Sequence, residues 1–489
     1  MKKYIFYTII ILTALGLQSC NKFLDVIPRQ NVKQDVLFST EDGYKSAVNG
    51  VYIRMATSNL YGKNMTMYTP ELLMRSWVLP GDVTSTRYRL SNWDFDYIEI
   101  DNHLNDIWLT YYSCIVQINN ILSALEEPIP QFQYNNDKFI EGEALGLRAF
   151  LHLDILRFWG PSPTNVSGSD RAIPYVTEFT KDPNKLLSKT WSEVISQIEN
   201  DLNKAEALLK DIDPIITWSN AYLNSPGSGA VGDDWHYYRQ NRFNYYAVLA
   251  TKARFYNWIG DKDKAIQYAE MVINDGGARF PLTRETDIIS SSTSNLIFYS
   301  ENIFAIHNPN HQNIIQSQYL FKGVDATLYQ ARARVNELYE SGVSSMDIRR
   351  VDRYWQETTY QNSTVINHFL KYTGSDNINA RNMVPLIRSA EMYLILIENT
   401  PLDEANTWFN LFRNARSMDA SLDNSLTNDV LRDTRLEREY RKEFFGEGQF
   451  FFYAKKRDIT VITWPNRFEL PNGIASYELP RPKSQTDFE

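Results

Sequence analysis

YRKEFFGEGQFFFYAKKR, residues 440–457, decides how the chain is read. Charged residues run into Gly446-Glu447-Gly448 and then into four aromatics, Phe450 to Tyr453. Three readings compete: a catalytic acid on a loop, a phosphate cradle, or a piece of architecture. Upstream, Arg432, Arg435, Arg438 and Arg441 recur every three residues. Glu437 with Arg441, and Arg435 with Glu439, are opposite charges one helical turn apart. The stretch therefore reads as a charged helix, with Gly446 where a left-handed residue would stop it. Phe444, Phe445 and the aromatics after Gly448 would seat its end in a core. No histidine or second acid at a defined spacing accompanies Glu447, so it reads as an architectural acid.

Helical patterning extends outward from there. RFNYYAVLATKARFYNWIGDKDKAIQYAEMVIND (242–275) reads as two antiparallel helices, with Ala253, Tyr256, Gly260, Ala265, Ala269 and Val272 at tetratricopeptide-like spacing. One such unit cannot bury its own apolar face, so others are expected. EGEALGLRAFLHLDILRFWG (141–160) is a helix closed by Gly160-Pro161. Residues 191–209 are amphipathic, with Val194, Ile198, Leu202, Ala205 and Leu209 on one stripe. VPLIRSAEMYLILIENT (384–400) and LDEANTWFNLFRNARS (402–417) form a further helix pair. Stretches near 60–105 and 276–380 read as irregular and predict a binding face on a helical scaffold.

The N-terminus, MKKYIFYTIIILTALGLQSC, has Lys2 and Lys3 before an apolar run of about 13 residues from Ile5 to Leu17. That is short of the ~20 a spanning helix needs, so a secretory signal over 1–19 is expected. Leu17-Gln18-Ser19-Cys20 has the form of a lipobox and predicts lipid attachment at Cys20, despite the unusual Gln18. Cys114 would then be the mature chain's single thiol, which rules out an intrachain disulfide; its helical surroundings make it a small buried hydrophobe. Losing Lys2 and Lys3 with the leader takes the formal charge from −9 to −11, and so acidic a chain argues against nucleic acid as partner. Aromatic content of 13% beside 22% charged residues places some rings on the surface for contact.

Several motifs, in order, resemble the SusD/RagB family of outer-membrane nutrient-binding lipoproteins. They are Cys20 followed by Phe23-Leu24-Asp25 and Pro28, EALGLRAFLHLDILRFWGPSP, the helix pair 242–275, Glu301-Asn302-Ile303-Phe304, PLIRSAEMYLILIE, and REYRKEFFGEGQFFFYAKKR. The resemblance spans nearly the whole mature chain, 20–489, taken as one SusD-like domain with an N-terminal region to 220, the helix pair at 240–275 and a C-terminal region from 280. It implies an all-α fold built around four tetratricopeptide-like units. It also implies an outer-membrane, surface-exposed, non-catalytic lipoprotein that closes as a lid over a SusC-type TonB-dependent transporter. Its cargo would be a glycan, with peptide as the alternative class. One departure is Glu398-Asn399-Thr400-Pro401, which cuts short a helix that family members extend.

Other chemistry is sparse. Gly227-Ser228-Gly229-Ala230-Val231-Gly232 has the form G-x-G-x-x-G but follows a polar loop instead of a buried strand, so no dinucleotide cofactor is expected. His307 and His311 are four apart with Asn-Pro-Asn between them, which speaks against a helical metal site, and no metal is expected. No G-x-S-x-G elbow is present, and nothing selects a pair of carboxylates for glycoside hydrolysis.

Residues 79–97, LPGDVTSTRYRLSNWDFDY, bring Asp82, Arg87, Tyr88, Asn92 and Trp93 together without a regular period. Sugars need flat rings flanked by planar donors and carboxylates, and this stretch offers both. The family resemblance implies glycan contacts here, with Asp82 and Trp93 the closest matches. It also implies contacts from 307–319, including His307, Asn308 and Tyr319. The alternative makes Trp93 a core ring beside Trp108 and Arg87 a structural partner of Asp82. Trp77, Tyr61, Tyr299, Trp355 and Tyr360 are further candidate platform rings.

Overall fold

The computed structural model describes residues 34–489, apart from 128–129, 181, 228–232, 290–294, 320–327, 341–345, 351–353, 361–363, 374–381, 472–476 and 488. Cys20 and most of the glycine-rich 227–232 stretch lie outside the described residues.

Helices dominate. In chain order they include α1 (Glu41–Met55), α2 (Ile98–Glu126), α3 (Asn136–Trp159), α4 (Trp191–Leu209), α5 (Tyr245–Ile259) and α6 (Lys262–Gly276). After a segment of small sheets come α7 (Ser389–Asn399), α8 (Leu402–Ala415), α9 (Asp429–Glu443) and α10 (Gln449–Lys456). Each helix from α1 to α8 packs on the next, so the helices pair off along the chain as repeat units do.

Local sequence explains the boundaries. Thr190 and Glu193 form a reciprocal capping box at the start of α4: Thr190 Oγ1 accepts from the Glu193 N–H at 3.3 Å, and the Glu193 carboxylate accepts from the Thr190 N–H at 2.8 Å. Gly260, at φ 83°, ends α5 in the left-handed conformation, and Asp261 caps α6 by accepting from the Lys264 N–H. The stripe Val194, Ile198, Leu202, Ala205 and Leu209 is fully buried, as its spacing predicts. Gly146 is required by a close approach, since a Cβ there would lie 2.4 Å from the Phe243 ring. Cys114 is buried in α2, and burial pushes its thiol up to about 12.

The structure differs from the sequence reading at two places. Residues 383–388 are a strand, β5 (Met383–Arg388), and the helix begins only at Ser389. Pro385 lacks the N–H a helix interior uses, and the flanking Val and Ile suit extended backbone. Its antiparallel partner is β1 (Asn302–His307), with Ala305 opposite Pro385 and His307 opposite Met383. The 276–380 segment also holds β2 (Tyr329–Gln330), β3 (Trp355–Tyr360) and β4 (Thr364–Phe369), ordered β2-β4-β3.

The stretch 440–457 is architecture. Gly446 and Gly448 have φ of 75° and 76°, and both N–H groups donate to Glu71 Oε1, at 2.9 and 3.0 Å. That turn aims Glu447 inward, where it accepts from Arg388 Nη2 at 2.7 Å and pairs with Lys371. Arg388 also meets Glu301 at 2.9 Å and Glu443 at 2.6 Å. Arg416 bridges the same two acids, and Arg349 joins Glu443 to Glu439 and Asp347. Burial opposes charge on Glu443, yet Arg416 and Arg388 hold its carboxyl well below the usual range. Of the two charge pairs expected on α9, Arg435 and Glu439 meet at 3.6 Å. Arg441 instead turns onto the Phe450 ring, 3.7 Å away, and makes no ion pair with Glu437 within 4 Å.

Two predictions follow from this interior. Arg388→Met removes the guanidinium shared by three buried carboxylates, leaving them under-compensated, and is expected to cost ~3–5 kcal/mol in chemical denaturation; a loss below ~1 kcal/mol contradicts a structural role for the cluster. The second concerns buried imidazoles. Burial lowers His152 to about 3, and His103 and His311 to about 4. An unfolded chain takes up these protons near pH 6.5, whereas the folded one does not until far lower pH, so stability falls as pH drops below 6.5. Each ring contributes about 1.4 kcal/mol per pH unit in that window. Glu71, which burial pushes up to about 7, offsets one of them between pH 7 and 4.5. Thermal unfolding should therefore show Tm falling steeply from pH 6.5 to 4.5, and His152→Leu should flatten the slope. A constant Tm across that range contradicts the buried neutral imidazoles.

Candidate functional site

A cleft of about 560 Å³ opens where α1, the turns before α5, and the paired ends of β1 and β5 meet. Asn49, Tyr52 and Ile53 come from one face of α1, three and four residues apart. His307 and Met383 are the final β1–β5 pair. Tyr299 precedes β1, and Asn224 follows a short helix at Asn220–Leu223.

Residues 233–244 form the remaining wall. Asp233 caps a turn by accepting from the Trp235 N–H at 2.8 Å. Arg239, fully buried, donates to both carboxylate oxygens of Asp213 at 3.0 and 2.9 Å and pairs with Glu143. Gln240 Nε2 donates to the Asn302 carbonyl at 3.1 Å, and Asn244 Nδ2 to the Ile303 carbonyl at 2.8 Å. These bonds lock the turn to β1. Tyr238 is held at φ 51°, a left-handed conformation that a tyrosine adopts only under constraint, with its N–H donating to the Leu223 carbonyl at 2.7 Å. Tyr238 is 40% exposed at the cleft, and Ile53, also in its lining, is 69% exposed.

Tyr52 is anchored at both ends of its hydroxyl: it donates to Glu143 at 2.9 Å and accepts from the Phe243 N–H at 2.8 Å. The Arg242 guanidinium carbon sits over Trp235, 3.5 Å from the ring centre, with Nη2 donating to Asn49 at 3.3 Å. Burial lowers the pKa of both Arg242 and His307. The cleft thus combines rigid phenol rings with amide, guanidinium and carboxylate edges, the two chemistries that hold polyhydroxylated rings.

The expected loop at 79–97 sits elsewhere, and none of its residues lines this cleft. Trp93 corrects the expectation most clearly. It is 3% exposed, its Nε1 donates to the Leu73 carbonyl at 2.9 Å, and its ring packs on Phe95, Phe451 and Tyr477. It is a core ring, but its neighbours are not Trp108, which meets Tyr112 and Trp159. Arg87 is buried. Asp82 is exposed, with its carboxylate accepting from the Thr84 N–H and hydroxyl. Tyr88 is half-buried, and Asn92 closes the short helix Thr86–Ser91 while accepting from Arg75. Asn308 is also buried, with Nδ2 donating to the Ala56 carbonyl at 2.7 Å. Tyr319 ends the helix His311–Tyr319, and its side chain lies outside the described residues, as does that of Tyr360. Trp77, Tyr61 and Trp355 are core rings.

Of the sequence candidates, His307 and Tyr299 reach the cleft. Sequence reasoning misses the 233–241 run DDWHYYRQN, although its density of rings and amides without an apolar period is the signal that marks it.

The molecule is thus a scaffold of paired helices that presents a ring-lined cleft. The chain belongs to the SusD family, whose model matches residues 188–453, over half its length. A second family model, described as starch-binding and associating with the outer membrane, matches 22–222. Among solved structures, a SusD superfamily protein from Bacteroides thetaiotaomicron VPI-5482 is 20% identical, covering 92% of this chain and 98% of its own, with a TM-score of 0.71. A SusD superfamily protein from Bacteroides vulgatus ATCC 8482 is 20% identical over 92% and 97%, TM-score 0.67. Surface glycan-binding protein A from Bacteroides fluxus is 18% identical over 86% and 89%, TM-score 0.57. No curated protein matches the chain. Among the described residues, no helix is long and apolar enough to cross a membrane.

The two tryptophan and tyrosine roles separate experimentally. Trp93→Ala removes a buried ring and is expected to cost ~3–5 kcal/mol of stability. Tyr238→Ala, at an exposed ring, should stay within ~1 kcal/mol of wild type. Equal stability of the two variants contradicts this assignment of core and surface.

Proposed function

We propose that the protein captures oligosaccharide at the cell surface in the cleft lined by Tyr52, Tyr238, Tyr299, Asn241, Arg242 and His307. The observation that supports this reading is the pairing of constrained, partly exposed rings with planar polar groups in one 560 Å³ cleft. Family membership and the glycan-binding name of the Bacteroides fluxus neighbour point the same way. On this reading the protein is non-catalytic: it holds cargo as a lid for a SusC-type TonB-dependent transporter, anchored to the outer membrane through lipid on Cys20. Peptide capture, the alternative on the same scaffold, would favour a cleft with fewer stacking rings than this one.

Stacking part of one sugar ring contributes on the order of 1 kcal/mol, so affinity should be micromolar to millimolar and rise with oligomer length. The test uses soluble protein beginning at residue 21, with Tyr238→Ala alongside, in affinity electrophoresis and calorimetry against a polysaccharide and peptide panel. Retardation by a glycan, weakened ~5-fold in Tyr238→Ala and without product formation, is the expected result; fivefold corresponds to about 1 kcal/mol. Nanomolar binding of a monosaccharide, product release, or binding of peptides alone would overturn the proposal.

A further inference from the structure

We infer that the cleft accepts uncharged sugar residues and turns away anionic ones, such as uronates, sialates and sulfated saccharides; this rests on the capture reading above. The exposed carboxylate of Asp234 puts a hydrogen-bond acceptor at the cleft. A sugar hydroxyl can donate to an acceptor, whereas a carboxylate or sulfate only accepts.

The charges lead to the same conclusion. Among the described residues lining the cleft, Arg242 is the sole lysine or arginine. Its charge is already opposed by Glu143, 3.7 Å from Nη1. The cations just behind are also engaged, Arg239 by Asp213 and Glu143, and Lys45 by Asp233 and Glu41. Asp234 is exposed at the cleft with no cation within ion-pair distance among the described residues. His307 adds no positive charge near pH 7, because burial lowers its pKa. An incoming carboxylate would therefore meet Asp234 with no free cation to compensate, whereas a neutral hydroxyl can donate to that same carboxylate.

The test offers both ligand classes at once. Glycans released from plant cell wall and from mucin, labelled with an uncharged fluorophore, are split by anion exchange into uncharged and acidic pools. Each pool is passed over immobilised wild-type protein and over Asp234→Asn. Retention from the uncharged pool is expected to exceed that from the acidic pool at least tenfold. Asp234→Asn is expected to narrow the gap by raising acidic retention. Matching unfolding temperatures establish that the variant is folded. Equal or greater retention of acidic glycans by wild type overturns the inference while leaving glycan capture standing. An unchanged gap in Asp234→Asn overturns the electrostatic argument. Retention from neither pool overturns the capture reading, and this inference with it.

Discussion

Everything in the C-terminal half is arranged around a cluster of charges with no access to water. Arg349, Lys371, Arg388 and Arg416 face Glu301, Asp347, Glu439, Glu443 and Glu447, and all of them are buried. Taking such groups out of water is expensive, and only near-complete mutual pairing offsets it. That demand fixes geometry. Arg388 is the last residue of β5, Glu301 directly precedes β1, Glu443 is the last of α9, and Arg416 follows α8, so one set of contacts aligns two strands and two helices. The Gly446-Glu447-Gly448 turn exists to serve it. Two left-handed glycines let the backbone donate to Glu71 while Glu447 swings onto Arg388.

The cluster also reaches the cleft. Arg388 and Asn302 are paired across the β5–β1 ladder, and the far end of that ladder is His307 opposite Met383. The wall at 233–244 hangs from the same strand through Gln240 and Asn244. A second buried charge set, Arg239 with Asp213 and Glu143, fixes that wall to α3, and Tyr52 on α1 shares Glu143. The rings that face the cleft are therefore mounted on rigid elements, which lowers the ordering cost of binding a weakly held ligand.

Much of the fold was legible because helical periodicity and capping are local. The buried stripe of α4, Gly160-Pro161 closing α3 and the alanines of α5 and α6 are all assigned from neighbours a few residues away. β5 was misread because an apolar run of strand length next to a helix has no distinguishing period, and only Pro385 hinted at the boundary. The site was harder. Trp93 and Tyr238 are both aromatic residues in irregular stretches at positive φ. What separates them is long-range: Trp93 is covered by Phe451 and Tyr477, hundreds of residues away, while Tyr238 stays 40% exposed. Local sequence cannot distinguish a ring that will be buried from one that will be displayed.

The most direct measurement is a crystal structure of the soluble protein soaked with an oligosaccharide that it binds. The account predicts sugar density in the cleft, with a ring against Tyr238 or Tyr299 and a hydroxyl within hydrogen-bonding distance of the Asp234 carboxylate. Density over the 82–93 stretch, with the Tyr238 cleft empty, would contradict it.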